Sequence, residues 1–160
     1  INLPQKGGAG RSLTEGLFLL IATANELKKQ KVKFEWYILG DGTLKKKLTK
    51  SIVKYHLQSE IQLKGFVENP YPYYKKCDVY CQTSEHEGYC TTITEAKLFN
   101  KPIVTTFFSG IQEQLKKLFK KIENKYFINN RSVDQVVDEL VVMIQEIVMR
   151  KSCQNSQPQA

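Results

Sequence analysis

Two carboxylates and the small polar residues between them are the part of this sequence best suited to chemistry. Residues 84–100 read SEHEGYCTTITEAKLFN, with Glu87 and Glu95 separated by seven residues. A strand-forming run, Val79 to Thr83, leads into Ser84; Gly88 follows, and Thr91 to Phe99 is compact, with Ile93, Ala96 and Leu98 available to bury. The pattern predicts strand, loop and helix in that order. Glu87 then lies in the loop and Glu95 about one turn into the helix. The amides of Tyr89, Cys90, Thr91 and Thr92 are left without helical partners at its start, where an anion can bind. A carboxylate on a helix can also accept hydrogen bonds from two vicinal hydroxyls. Gly88 lets a backbone approach closely, and the Thr91 and Thr92 hydroxyls either meet that anion or cap the helix. The plain alternative is a surface loop followed by an amphipathic helix with two solvated carboxylates.

The elements around this stretch alternate. A Gly-rich, polar opening over residues 1–16 reads as loop. Thr14 to Lys29 reads as helix, with Leu17, Leu20, Ile21, Ala24 and Leu27 on one face. Phe34 to Leu39 is a strand ending in the turn Gly40-Asp41-Gly42. Thr43 is placed to cap a helix that turns Leu44, Leu48, Ile52 and Tyr55 inward. Ile61 to Val67 is a short strand stopped by Glu68-Asn69-Pro70, and Tyr71 to Lys76 is a short helix or turn. After the central stretch, Lys101-Pro102 ends the helix and Ile103 to Thr106 forms a strand. Phe107 to Gly110 turns into a helix carrying Ile111, Leu115, Leu118 and Ile122. Tyr126 to Ile128 is a last strand. Ser132 and Gln135 make a capping box ahead of an apolar face running from Val133 to Val148. Strands and helices in alternation imply a doubly wound parallel sheet with helices on both faces. Ligands bind such sheets beyond the carboxyl ends of the strands. That rule gathers the loops at Gly40, Gly65, Ser84 and Phe107 on one edge.

Composition narrows the partners without naming one. Lys and Arg number 24 against 16 Asp and Glu, a net +8, which suits an anionic ligand such as a diphosphate, an acidic membrane face or a nucleic acid. Most of the excess lies in runs such as Lys45-Lys46-Lys47 and Lys116-Lys117, which ordinarily form solvated helix faces. No aromatics interleave with them, which argues against nucleic acid. The four cysteines include no Cys-x2-Cys pair, and the two histidines are not spaced as metal ligands beside them. Free thiols in a reduced cytoplasm are the simple reading. No apolar run approaches the roughly 20 residues that cross a bilayer. One domain over residues 1–150 with a polar tail over 151–160 is expected, and the opening at Ile1 reads as an interior cut.

The stretch resembles the donor-binding motif of retaining GT-B glycosyltransferases, especially glycosyltransferase family 4: a Ser, then Glu-Gly-aromatic, then Glu-Ala. Here it stands as Ser84, Glu87-Gly88-Tyr89 and Glu95-Ala96. The resemblance implies the C-terminal, Rossmann-like half of a GT-B fold, binding a nucleotide-sugar. It implies that Glu95 holds the ribose, that Glu87 meets the donor sugar as the catalytic carboxylate, and that Ser84, Gly88, Tyr89, Cys90, Thr91 and Thr92 line the donor. Gly65-Phe66-Val67 matches the loop that holds the base, and Gly40-Asp41-Gly42 matches a family turn; Gly110 and Glu113 match a further loop more loosely. The diphosphate grip has two readings. Either Pro4-Gln5-Lys6-Gly7 supplies its Lys-Gly end through Lys6, or Arg11 is the phosphate arginine and Glu15 occupies the lysine position.

On this resemblance the chain is the donor half of a retaining transferase that moves a hexose to a glycan or lipid-linked acceptor. It is inactive without an N-terminal acceptor domain. It needs no metal and no cofactor beyond the nucleotide-sugar itself, since the Asp-x-Asp of metal-using transferases does not occur. A cytoplasmic location follows, with a peripheral contact at the inner membrane face left open to the missing domain. The alternatives are a non-catalytic nucleotide-binding scaffold of the same ancestry, a basic nucleic-acid binder and an epimerase of GT-B shape.

Overall fold

A computed structural model of the chain describes residues 12–83, 90–106, 125–128 and 133–155. In order these form α1 (Ser12–Lys29), β1 (Trp36–Leu39), α2 (Lys45–Lys54), β2 (Ile61–Gly65) and α3 (Tyr71–Lys76). They continue with β3 (Tyr80–Gln82), α4 (Thr91–Leu98), β4 (Ile103–Thr106), β5 (Lys125–Ile128) and α5 (Val133–Asn155). The fold is α/β, with every described strand pairing parallel to its neighbour. β1 pairs with β2, Trp36 opposite Ile61, and the register slips by one residue between Ile38 and Leu39. β3, β4 and β5 form a second ladder with β4 central, Tyr80 opposite Ile103 and Ile103 opposite Lys125.

Side-chain alternation shows why helices cover both faces of the second ladder. Cys81 and Val104 point one way, into a core shared with Leu19 and Leu27 of α1 and with Val136, Val137, Leu140, Val141, Ile144 and Ile147 of α5. Tyr80 and Ile103 point the other way, onto Tyr74 of α3 and Ile93 and Ala96 of α4. The β1–β2 pair is covered by the rest of α1 and by α2, through Leu20, Ile21, Ala24, Leu48 and Ile52. Helix α1 therefore buries two faces: Leu19 on one side and Leu20 and Ile21 on the other. Thr23 within it is fully buried, its hydroxyl donating to the Leu19 carbonyl at 2.9 Å. The single inward face read from periodicity was too narrow. A helix between two cores is apolar over more of its circumference than one on a surface.

Further local differences have plain causes. Thr43 does not cap α2. Leu44 is its N-cap residue and makes no side-chain cap, while Asp41 organises the turn by accepting the Gly42 amide at 2.8 Å and the Lys45 ammonium at 2.7 Å. Tyr55 is 39% exposed rather than inward, because it follows the last turn of α2. Leu98 is 76% exposed. It ends α4, whose chain then reverses at Asn100 in the left-handed region (φ 52°), with the Lys101 amide bonded to the Ala96 carbonyl at 3.0 Å. Asn69 opens α3 by accepting the Tyr71 amide at 3.1 Å. α5 continues through Asn155, into the stretch read as a polar tail. The helix expected around Ile111 to Ile122 and the Ser132 cap lie outside the described residues.

Gly16 belongs to α1, not to a loop. A Cβ placed on it would stand 2.2 Å from the Thr83 carbonyl oxygen, so a glycine is required for the helix to lie against the end of β3. This contact sets the N-terminal part of α1 at the same edge from which the Glu87 loop leaves.

Candidate functional site

Of the residues predicted to act, the structure describes Gly65, Phe66, Cys90, Thr91, Thr92 and Glu95; Ser84, Glu87, Gly88, Tyr89, Lys6 and Arg11 lie outside the described residues, as do Gly110 and Glu113. The described ones stand where the sequence placed them. They occupy the carboxyl end of β2 and the start of α4, at the strand edges where a parallel sheet binds ligands.

Helix α4 is fixed from below by a polar chain. The Tyr80 hydroxyl lies 2.6 Å from both Gln82 Oε1 and Thr92 Oγ1, and Thr92 Oγ1 lies 3.0 Å from Cys90 Sγ. Each hydroxyl has one proton to give. Tyr80 donates to the amide oxygen, Thr92 donates to Tyr80, and the Cys90 thiol donates to Thr92. The Thr92 hydroxyl is thereby committed to the protein, and Cys90 is buried at 3% exposure in the core with Ile93 and Ala96. Their side chains hold the helix; what they can offer a ligand is backbone. Thr91 is exposed in the first turn, one helical turn ahead of Glu95 on the same face. Cys90, the N-cap residue, makes no side-chain cap and no acidic residue lies in the first turn, so nothing negative on the helix opposes an anion there.

Glu95 is half-buried, near Tyr74 of α3. Tyr74 is 5% exposed, its ring stacked on Phe99 at 5.8 Å and 7° and tilted against Tyr80 at 5.7 Å. Burial first, and the adjacent Glu95 carboxylate second, push the Tyr74 hydroxyl well above the ordinary phenol range, so it stays protonated and acts as a donor. Cys81 is likewise silent chemically, its thiol pushed up to about 12 by burial.

The β1–β2 edge is built differently. The Gly40 amide donates to the Gly65 carbonyl at 2.6 Å, which locks the two turns together. Gly65 has φ +68°, and Phe66 beyond it is 69% exposed, as a residue available to a flat ligand would be. The Asp41–Lys45 ion pair lies beneath, its nearest atoms 3.9 Å from where a Gly65 Cβ would be. The Lys45 hydrogen bond, then the Gly42 amide, hold the Asp41 carboxyl below its usual range. Among the described residues no cluster of His, Cys, Asp and Glu could hold a metal, and no helix is long and apolar enough to cross a membrane.

Parallel strands with helices packed on them define an α/β fold that matches glycosyltransferases of the GT-B class. A variant of Staphylococcus aureus TarM, solved with fondaparinux, alpha-GlcNAc-glycerol and UDP, superposes at a TM-score of 0.69 over 92% of this chain and 28% of that one, at 20% identity. Residues 10–159 match the glycosyl transferases group 1 family, and the chain belongs to it. Among its relatives, the S. aureus poly(ribitol-phosphate) alpha-N-acetylglucosaminyltransferase is 24% identical over 136 residues, 85% of this chain and 27% of that protein. The Campylobacter jejuni N-acetylgalactosamine-N,N'-diacetylbacillosaminyl-diphospho-undecaprenol 4-alpha-N-acetylgalactosaminyltransferase is 29% identical over 126 residues, 78% of this chain and 33% of that protein. The chain thus spans about a quarter to a third of the length of these curated relatives.

Proposed function

We propose that this chain is the donor-binding domain of a retaining, family 4-like glycosyltransferase that moves a hexose from a nucleotide-sugar to a glycan or lipid-linked acceptor. The observation that carries the reading is Glu95: a half-buried carboxylate one turn into a helix that begins at the carboxyl edge of a parallel sheet. It has acceptor sites for two vicinal ribose hydroxyls. The exposed start of α4 suits the diphosphate, and Gly65-Phe66 suits the base. Glu87, in the loop between β3 and α4, is the carboxylate assigned to the donor sugar, with Ser84, Gly88 and Tyr89 around it.

For the diphosphate we favour Arg11 over Lys6. It directly precedes α1, whose Gly16 lies against Thr83, and the family match begins at residue 10, taking in Arg11 and leaving Lys6 out. Charge growing on the leaving diphosphate is then offset by Arg11 and the start of α4, without a metal. Attack from the face that the diphosphate leaves accounts for retention with no protein nucleophile. The acceptor half belongs to a segment outside this chain, in keeping with the fraction of its relatives that the chain spans; a cytoplasmic enzyme touching the membrane through that half fits this arrangement.

A second reading, a nucleotide-binding scaffold without turnover, draws on Glu15. It carries an acid into the first turns of α1, next to the glycine that abuts Thr83, where a diphosphate grip would want a cation. Calorimetric titration of the full-length protein with UDP-sugars, together with a transfer assay, separates the two. Saturable binding with transfer supports the enzyme, binding without transfer the scaffold, and no binding of any nucleotide-sugar overturns both.

A further inference from the structure

Helix α2 breaks the electrostatic rule for the start of a helix. Its ten residues include five lysines and no acid, and Lys45, Lys46 and Lys47 stand in the first turn. The partial positive charge of a helix N-terminus favours acids there and repels cations. Lys45 is compensated by Asp41 at 2.7 Å; among the described residues no acid pairs with Lys46, Lys47, Lys50 or Lys54. Leu48 and Ile52 face the core. At about 3.6 residues per turn this puts Lys46, Lys50, Val53 and Lys54 on the outer side, where all four are exposed. Lys46, Lys50 and Lys54 recur every fourth residue, so each repels the next along one stripe. Val53 lies in that stripe and is 51% exposed, and Tyr55 just beyond it is also exposed, with the Lys54 ammonium 5.2 Å from its ring centre. Toward α1, Lys47 borders a shallow groove lined by Leu17, Phe18, Ile21 and Leu44, in which Phe18 is 50% exposed.

We propose that this face of α2 docks the protein on an anionic lipid surface, with Lys46, Lys47, Lys50 and Lys54 against acidic headgroups and Val53, Tyr55 and Phe18 in the interfacial layer. The contact belongs to this domain itself and does not depend on the donor reading. Charge complementarity carries it. A helix face that merely meets water mixes both signs, whereas this one carries a single sign and repels itself. Lipid phosphates opposite the stripe relieve that repulsion, and each lysine near an acidic leaflet strengthens binding by about fivefold. The apolar side chains decide between two anionic partners. A nucleic acid would satisfy the charge, but it holds its bases on open aromatic faces, and here Val53 offers no ring while Lys54 lies over that of Tyr55. Headgroup depth accepts an aliphatic side chain, a tyrosine and a phenylalanine beside lysines.

The test is co-sedimentation of the full-length protein with vesicles of phosphatidylcholine alone and of phosphatidylcholine mixed with phosphatidylglycerol. Binding is expected to the mixed vesicles only, and to fall as salt rises. The triple variant Lys46→Gln/Lys50→Gln/Lys54→Gln should bind them about a hundredfold more weakly. Its thermal midpoint should be no lower than that of wild type, since like-charge pairs are removed, and its affinity for nucleotide-sugars should be unchanged. Lys46→Arg/Lys50→Arg/Lys54→Arg should bind the vesicles like wild type. Val53→Trp should shift its added fluorescence to the blue on the mixed vesicles, a signal local to this face that a contact made by another part of the protein does not produce. Wild-type binding to both kinds of vesicle equally, or to neither, overturns the proposal. So does a glutamine variant that binds as tightly as wild type, an arginine variant that loses as much as the glutamine one, or a Val53→Trp emission that does not move. Binding of a mixed-sequence RNA without binding of the mixed vesicles would assign the face to nucleic acid instead.

Discussion

The two strand edges proposed to meet the donor are held by different means. At the start of α4, buried side chains set the geometry: Tyr80, Gln82, Thr92 and Cys90 form one polar chain, and Tyr74 packs between Phe99 and Tyr80. At the ends of β1 and β2 the backbone sets it, through the Gly40–Gly65 hydrogen bond, with an exposed ion pair beneath. The first arrangement defines where a charged oxygen points and tolerates little change. The second defines a shape and leaves side chains such as Phe66 free to vary. A site that must aim a carboxylate at two hydroxyls needs the former, whereas a slot for a flat base can be made from the latter.

That contrast can be broken in order of expected effect. Gly16→Ala should be the most damaging change, because the added methyl would meet a backbone carbonyl at 2.2 Å and α1 would have to move off β3. We expect a loss of about 3 kcal/mol in urea unfolding; a loss below about 1 kcal/mol would show that the β3 edge is as yielding as the β1–β2 edge. Glu95→Ala should next cost about 1–3 kcal/mol of nucleotide-sugar affinity through lost charge-assisted hydrogen bonds, with the unfolding midpoint nearly unchanged. Full affinity in that variant would remove Glu95 from the site.

Gly65→Ala comes third. The added methyl has room, with nothing nearer than 3.9 Å, but φ +68° is unfavourable for alanine, so about 1 kcal/mol of stability should go without a clash. A much larger loss would mean that the β2 turn is packed and not merely bent. Asp41→Asn should have the smallest effect, since both partners of the ion pair are exposed to water. Its carboxyl is held below the ordinary value in the folded state. The small stability it adds is therefore present above the unfolded pKa and lost as pH falls through the folded one. In an acid titration, wild type and Asp41→Asn should accordingly differ slightly in stability at neutral pH and converge below about pH 4. A difference that persisted unchanged into strong acid would show Asp41 acting through something other than its charge.

The motif's strand-to-helix junction and the alternation of strand and helix were legible because each depends on local signals: β-branched runs, a Pro or Asn at a stop, a glycine after a strand. Ile93 and Ala96 were read as buried and are. Leu98 was read the same way and is exposed, since hydrophobicity cannot say that a helix is about to end in a left-handed Asn100. Thr43 has the chemistry of a cap, yet Asp41, two residues earlier, took the turn amide and the nearby lysine instead. Gly16 looked like one more glycine in a polar, Gly-rich opening. Its reason is Thr83, 67 positions away, which no local pattern can report.

Residue types and spacings by themselves determined that this chain carries a carboxylate pair at a strand-to-helix junction in an alternating α/β order, because hydrophobic period and turn chemistry are properties of neighbours in sequence. Only the tertiary structure decided that Thr92 and Cys90 serve the helix while Thr91 faces outward, and that Tyr74 packs between Phe99 and Tyr80. Those outcomes depend on which atoms meet across α3, β3 and α4, and contact between separate elements exists only once the chain has packed.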